Sequence, residues 1–268
     1  EIIKYKLDGD FVGISSNILN YSNSLELAKT AKDKGIKVVL GGPYPSTHPI
    51  KIMTNRPYVD FVISGDGEKA LSLLLKGDSY QKISNLTYRK NGEVIKNNEK
   101  KVNLSSTFMC PDFSNLNLSD YFTNYKVSYG FHKSGIGSLP IFSSKGCEWR
   151  DKSKGGCVFC MIPHFGIRYK SPRQYWEEIL FLKDKHGIET FWDVSDSFVD
   201  NLAWLEELKK EKPKYLNVKL QVYGRPAKID KKKVRLLKAI GVNEVFIGAN
   251  SGDDYILKIA RKGFKTYH

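Results

Sequence analysis

The chain alternates short apolar strand-like runs with amphipathic helix-like segments, and it does so in two separate stretches. Phe11-Val12-Gly13-Ile14-Ser15 is followed by an amphipathic stretch from Ser24 to Lys34, and then by Lys37-Val38-Val39-Leu40, which ends in Gly41-Gly42. Val59-Asp60-Phe61-Val62-Ile63 ends in Gly65-Asp66-Gly67-Glu68 and opens an apolar-periodic helix through Leu75. Parallel strands need long crossovers, usually helical. Three such units with glycine-rich carboxyl ends therefore predict an α/β fold, a doubly wound parallel sheet with ligand groups at one edge. Asn91-Gly92, between Asn85–Arg89 and Glu93–Ile95, is a strong hairpin signal that closes this first domain.

From about Asn97 to Leu139 the chain is polar and irregular and reads as a linker with local structure. After Pro140 the alternation resumes with a strand Ile141–Ser144, a helix from Pro172 to about Lys185 and a strand Glu189–Trp192. A helix from about Leu202 to Lys210, a strand Asn217–Val222, a helix Lys231–Ile240, a strand Glu244–Gly248 and a helix from near Asp253 complete four βα units. They resemble the opening of a (β/α) barrel, but a full barrel takes about 250 residues and does not fit after residue 140. The expected organisation is a Rossmann-like domain over 1–82, N-terminally incomplete, a hairpin and linker over 83–138, and a partial barrel over 139–268, C-terminally incomplete.

Composition narrows the partners without choosing among them. Forty-three Lys and Arg against 29 Asp and Glu give a net charge of +14, with clusters at Lys209-Lys210 and Lys231-Lys232-Lys233. That favours anionic partners, and a solvated basic surface and a nucleic-acid face both account for it. No run approaches the ~18 apolar residues of a membrane span, and Glu1-Ile2-Ile3-Lys4 begins neither an initiator methionine nor a signal peptide. A cytoplasmic, soluble fragment without membrane partners is the expectation. The four cysteines in 268 residues are too sparse for a disulfide scaffold. Cys110 stands alone and reads as a small buried hydrophobe.

The other three form Cys147-x9-Cys157-x2-Cys160 at the carboxyl end of a predicted strand, where βα folds place their chemistry. Three thiolates from one loop can hold three irons of a [4Fe–4S] cluster and leave the fourth iron open. Gly146, Gly155 and Gly156 let the loop wrap closely and offer backbone N–H groups. His164 follows Cys160 by three intervening residues, so a closed Cys3His zinc site in a binding module fits the same spacing. Spacing alone leaves cluster and zinc both open.

The stretch Leu139–Arg261 resembles radical S-adenosylmethionine (SAM) enzymes, and residues 10–75 are similar to the cobalamin-binding domain that precedes the radical domain in one large subgroup. Lys145-Gly146-Cys147 matches that subgroup's Gly-Cys entry to the cluster loop, and Phe159 its aromatic residue before the last cysteine. The nine-residue first gap departs from the usual three. The resemblance implies that Cys147, Cys157 and Cys160 hold a [4Fe–4S] cluster whose open iron takes SAM. It also implies that Asp193, Asp196 and Ser197, in Asp193-Val194-Ser195-Asp196-Ser197-Phe198, lie where family groups meet the SAM amino group. The plainer reading of these aspartates is capping of the next helix, although Asp200 or Asn201 supplies that cap.

Arg225 in Tyr223-Gly224-Arg225, and Asn250 and Ser251 in Gly248–Asp253, resemble further segments flanking SAM. Asn250 stands where a glutamate is common, and Arg225 fits either a SAM carboxylate or a neighbouring aspartate. Gly13, Ser15, Gly41, Gly42, Thr47, Gly65 and Glu68 match the strand ends that line cobalamin in the subgroup. The base-on histidine motif is not present, and many members of the subgroup bind cobalamin base-off without it. The activity implied is reductive SAM cleavage with a low-potential donor such as flavodoxin or ferredoxin, and cobalamin-dependent methyl transfer is the favoured subtype. RNA modification by methylthiolation is the alternative that the +14 charge motivates.

Overall fold

The computed structural model describes residues 7–105, 110–118, 138–151, 153, 155–160, 162 and 166–268. The chain divides after Val102 into two compact units, each taken by itself. Of the segment read as a linker, residues 106–109 and 119–137 lie outside the described residues.

The first unit is a five-stranded sheet in the order β1-β2-β3-β4-β5. Strands β1 (Phe11–Ser15), β2 (Lys37–Gly41) and β3 (Phe61–Ile63) are parallel, while β4 (Leu86–Lys90) and β5 (Glu93–Lys96) add antiparallel to β3. The apolar runs of β2 and β3 are continuous because both faces are covered. Val38, Leu40 and Val62 pack with Ala28, Ala31, Ile52 and Met53 on one face, beneath α1 (Tyr21–Asp33) and α3 (Pro49–Asn55). Val39, Phe61 and Ile63 pack with Ala70, Leu74 and Tyr88 on the other, against α4 (Glu68–Leu75). Helices on both faces make the sheet doubly wound, as the glycine-ended strands predict. Asn91 and Gly92 both take positive φ, 52° and 83°, the backbone that a two-residue hairpin with right-twisted strands requires.

Sequence reading passes over α2 (Pro43–Thr47) and α3, since Gly41-Gly42-Pro43-Tyr44-Pro45 resembles a loop. Pro43 and Pro49 instead occupy the first turns of these two short helices, where a missing N–H costs nothing.

The second unit is built on a parallel sheet in the order β6-β9-β10-β11, made of Ser138–Ile141, Thr190–Asp193, Lys219–Gly224 and Val242–Ile247. Helices α5 (Pro172–His186), α6 (Leu202–Glu211), α7 (Lys231–Ile240) and α8 (Asp254–Ile259) alternate with these strands in four βα units. Helix α5 starts at a Ser171/Gln174 capping box and stops at left-handed Gly187. Its buried face, Tyr175, Trp176, Ile179 and Leu182, meets Phe191, Leu205, Leu208 and Leu220 in one core. Each of these large side chains stabilises the unit by roughly 1.5–3 kcal/mol through burial. Cys110 packs half-buried against this core, and burial pushes its thiol up to about 11. No described helix is long and apolar enough to cross a membrane.

Candidate functional site

The cysteine loop is not a simple strand-to-helix turn. Strand β6 ends at Ile141, and a separate strand β7 (Ser144–Cys147) pairs antiparallel with β8 (Gly166–Tyr169), Cys147 opposite Gly166. The predicted strand Ile141–Ser144 is therefore split, with Cys147 at the tip of a two-stranded stem inserted between β6 and α5. Pro140 punctuates the sequence like a boundary, but it lies inside β6, an edge strand of the sheet, where a missing donor is tolerated. Gly146 takes φ +92°, and a Cβ there would lie 2.1 Å from the Gly166 carbonyl oxygen, so the stem closes only on glycine.

From Cys147 the chain makes a tight turn in which the Arg150 N–H donates to the Cys147 carbonyl at 3.1 Å. Gly155 and Gly156, both with positive φ, then lead into Cys157, and the Cys160 N–H donates to the Cys157 carbonyl at 3.1 Å. The Arg150 guanidinium donates to the Cys160 carbonyl at 2.8 Å and ties the two ends of the loop together. The loop also docks on the segment after α8. The Val158 N–H donates to the Ala260 carbonyl at 3.2 Å, and Trp149 Nε1 to the Arg261 carbonyl at 2.7 Å. Trp149 lies so close to Gly263 that a Cβ there would meet its ring at 2.5 Å. Phe159 faces the Lys262 ammonium at 5.4 Å.

All three loop cysteines are free thiols and half-buried. Burial raises the Cys147 pKa, while the Trp149 and Arg150 N–H groups and the Arg225 guanidinium oppose the rise. Among the described residues, no three His, Cys, Asp or Glu side chains converge as a single bound ion requires. His164, the fourth ligand of the zinc reading, lies outside the described residues.

The acidic segment after β9 lies against the stem. Asp193 is fully buried, and burial raises its pKa against hydrogen bonding to Ser195, Ser143 and Tyr175. Asp196 is exposed beside the stem, where desolvation by its neighbours raises its pKa and the Gly146 N–H opposes the rise. Neither caps α6; that cap is Asn201, whose Oδ1 accepts from the Trp204 N–H at 3.0 Å. Ser197 and Asp200 are buried, and the Ser197 and Tyr169 hydroxyls and both Asp200 carboxylate oxygens have no well-formed hydrogen bond among the described residues. Burial raises the Asp200 pKa against Ser197 and Arg225, and the charges of Asp200 and Cys147 influence each other.

Arg225 lies over the Trp149 ring, 4.7 Å from its centre, and donates to the Lys262 carbonyl at 3.0 Å. Part of its fork is thus already used to hold the loop. Asn250 takes φ +66°, a left-handed conformation asparagine tolerates, and Ser251 Oγ accepts from the Asp253 N–H at 3.1 Å.

In the first unit, the nominated residues other than Gly13, which is in the middle of β1, lie at or just beyond the carboxyl ends of β1 to β3. Ser15 and Gly41 are paired across β1 and β2, and Gly13 is exposed, with nothing within 4 Å of where a Cβ would lie. Gly42, at φ +95°, is pressed against the Ser16 backbone, where a Cβ would lie 2.6 Å from the carbonyl oxygen. Ser46 links the strand ends, its hydroxyl donating to the Gly42 carbonyl at 2.7 Å and accepting from the Gly65 N–H at 2.9 Å. Thr47 turns its hydroxyl to its own helix, donating to the Tyr44 carbonyl at 2.9 Å, and Glu68 is exposed in the first turn of α4.

Sequence reasoning did not nominate Ser46, Trp149, Ser195 or Asp200. Trp149, inside the cysteine loop, and Ser195, inside the Asp193–Phe198 segment, stood in stretches already singled out.

Residues 1–75 match the B12 binding domain model, and residues 141–267 match the radical SAM superfamily model. An uncharacterized methyltransferase of Pyrococcus horikoshii is 26% identical over 98% of this chain and 56% of its own length. An anaerobic magnesium-protoporphyrin IX monomethyl ester cyclase of Synechocystis is 24% identical over 85% of this chain and 45% of its own. The chain thus spans about half the length of the curated relatives it matches. The radical SAM methyltransferase TsrM of Kitasatospora setae, solved with cobalamin and a [4Fe–4S] cluster, shares the fold at a TM-score of 0.73 and 16% identity, covering 98% of this chain and 53% of that one. The cysteine-bearing hairpin on a parallel βα sheet, preceded by a doubly wound sheet, is accounted for: the chain carries a radical SAM domain over residues 141–267, behind an N-terminal B12-binding domain over residues 1–75.

Proposed function

We propose that this protein is a cobalamin-dependent radical SAM methyltransferase. The observation that carries the reading is the presentation of three free thiols, Cys147, Cys157 and Cys160, on one stem-held loop of a domain matching the radical SAM superfamily. A loop with three thiolates and no fourth cysteine suits a cluster with one open iron.

The residues present fit the implied groups. Around Cys147, Ser197, Asp200 and Tyr169 hold buried polar atoms without well-formed hydrogen bonds among the described residues, as a site for a polar, charged molecule would. With Asp193, Asp196, Arg225, Asn250 and Ser251 they are the residues proposed to hold SAM. At the edge of the first sheet, Gly13 leaves open space, and Ser15, Gly41, Gly42, Thr47, Gly65 and Glu68 are proposed to line cobalamin.

When bound, the cluster supplies the electron that cleaves SAM, and cobalamin supplies methyl-carrying chemistry. The chain's own part is to bind, orient and shield. Trp149, packed on Gly263, covered by Arg225 and bonded to the Arg261 carbonyl, holds the loop on the segment after α8. The reductant in this proposal is a low-potential protein such as flavodoxin or ferredoxin.

The test is anaerobic reconstitution of the parent and of Cys157→Ala, with iron and sulfide analysis and incubation with SAM, cobalamin and a reductant. Brown protein with about four irons that are lost in the variant, forming S-adenosylhomocysteine or 5′-deoxyadenosine, is the expected result. One stoichiometric zinc without iron, or an intact cluster that never consumes SAM, overturns the reading.

A further inference from the structure

Where β6 gives way to β7, the chain leaves one set of backbone partners before it reaches the next. Strand β6 pairs with β9 up to Ile141, and β7 pairs with β8 from Ser144. Amides at such a joint must find an acceptor elsewhere, because a buried unpaired N–H is costly. Ser195, 2% exposed, supplies it. Its Oγ accepts from the Ser143 N–H and from the Ser144 N–H, both at 2.9 Å, and lies 3.1 Å from Ser143 Oγ. A hydroxyl oxygen has two lone pairs, so both N–H bonds can be satisfied together, and its one hydrogen is left for Ser143 Oγ or the Asp193 carboxylate.

Ser195 is itself held. Its N–H donates to Asp193 Oδ1 at 2.9 Å, and the Val194 N–H donates to the Ile141 carbonyl at 2.8 Å. On the returning strand, the Lys170 N–H donates to the Ser143 carbonyl at 2.8 Å, and Lys170 is locked to Glu178. Ser143 is therefore fixed on both its amide and its carbonyl, three residues before Gly146 and four before Cys147.

We propose that Ser195 is a positioning residue, whose hydroxyl oxygen sets the angle at which the β6–β7 joint delivers Cys147 beside the Asp193–Asp196 loop. The geometry stands on its own, while its consequence for catalysis rests on the reading of Cys147 as a cluster ligand.

The test uses apo-protein first. Ser195→Ala removes the shared acceptor, Ser195→Thr keeps it, and alkylation of the four cysteines is followed by mass spectrometry. Loss of hydrogen bonds worth about one factor of ten in local opening predicts roughly tenfold faster modification of Cys147 in Ser195→Ala. Cys110 should be unchanged, and threonine should restore the parent rate. Acceleration at all four cysteines, or none at Cys147, overturns the proposal. Should Ser195→Ala fail to fold, hydrogen exchange of the parent decides. The Ser143 and Ser144 amides must be protected as strongly as those of β9, and loop-like exchange overturns the inference. In reconstituted protein, Ser195→Ala should change the cluster's electron paramagnetic resonance signal on adding SAM. A selective Cys147 effect in a chain that binds no iron would sink the radical SAM reading and leave the positioning role standing.

Discussion

The ion pair Lys170–Glu178 lies at the root of the stem and allows a quantitative prediction. The ammonium is 2.6 Å from Glu178 Oε2, with the side chains 2% and 1% exposed, and it lies 3.7 Å over the Phe142 ring. Burial lowers the Lys170 pKa and raises that of Glu178, each opposed by the partner's charge; Asp193 and Cys110 are the other titratable groups that act on Lys170. Lys170→Met keeps the stem's bulk and leaves the carboxyl buried without its cation. The variant then keeps Glu178 protonated when folded, while the unfolded chain releases that proton above its ordinary value of 4.5. Above that value the ionisation part of the cost therefore grows with pH, by at most about 1.36 kcal/mol per unit. The whole cost at neutral pH falls in the range of roughly 3–5 kcal/mol known for one-sided removal of a buried pair. Replacing both partners, as Lys170→Met with Glu178→Leu, should recover most of it and abolish the pH term. All four tryptophans, Trp149, Trp176, Trp192 and Trp204, belong to the second unit, so urea unfolding followed by fluorescence reads that unit alone. A single-variant cost that is flat between pH 5 and 7, or a double variant no more stable than the single, refutes the reasoning.

Other substitutions probe the same region. Because burial holds the Asp193 pKa above its ordinary 3.8, its contribution is full below that value and is lost as pH rises through the folded value. Asp193→Asn should therefore gain stability over the parent as urea midpoints are taken from pH 4 toward neutrality, and an offset independent of pH would contradict the assignment. Gly146→Ala must displace the Gly166 carbonyl and should cost well over the ~1–2 kcal/mol of a left-handed alanine, whereas Gly166→Ala, with nothing within 4 Å of its Cβ, should cost only about that amount. Equal urea midpoints for the two variants would show that the stem is not closed as described. Gly263→Ala drives a methyl into the Trp149 ring and should redden and weaken tryptophan emission by exposing that side chain; an unchanged spectrum argues against the docking of the loop.

What the sequence announced and what it concealed divide along physical lines. The doubly wound sheet was legible because burial on both faces leaves continuous apolar runs, as in Val38-Val39-Leu40, and because Asn91-Gly92 allows only a narrow set of turns. The cysteines were legible because few other side chains supply soft anionic ligands. The stem was not, since Ser144-Lys145-Gly146-Cys147 and Gly166-Ile167-Arg168-Tyr169 are four-residue strands without apolar alternation, whose pairing spans the whole loop between them. Ser195 was hidden for a deeper reason. It acts on backbone amides, and every non-proline residue has one, so nothing in Ser143 or Ser144 marks them as needing an acceptor. That requirement arises only once β6 and β7 are seen to belong to different sheets. It follows that the oxygen at position 195 matters more than the rest of its side chain, and that Ser144→Ala, which keeps the amide and the small size, should be tolerated. Ser144→Pro is the exception this argument demands. It removes one of the two donors and should reproduce the selective exposure of Cys147 seen in Ser195→Ala, while Ser144→Ala should not. If proline and alanine at 144 behave alike toward alkylation of Cys147, the acceptor at Ser195 is not what aims the thiol.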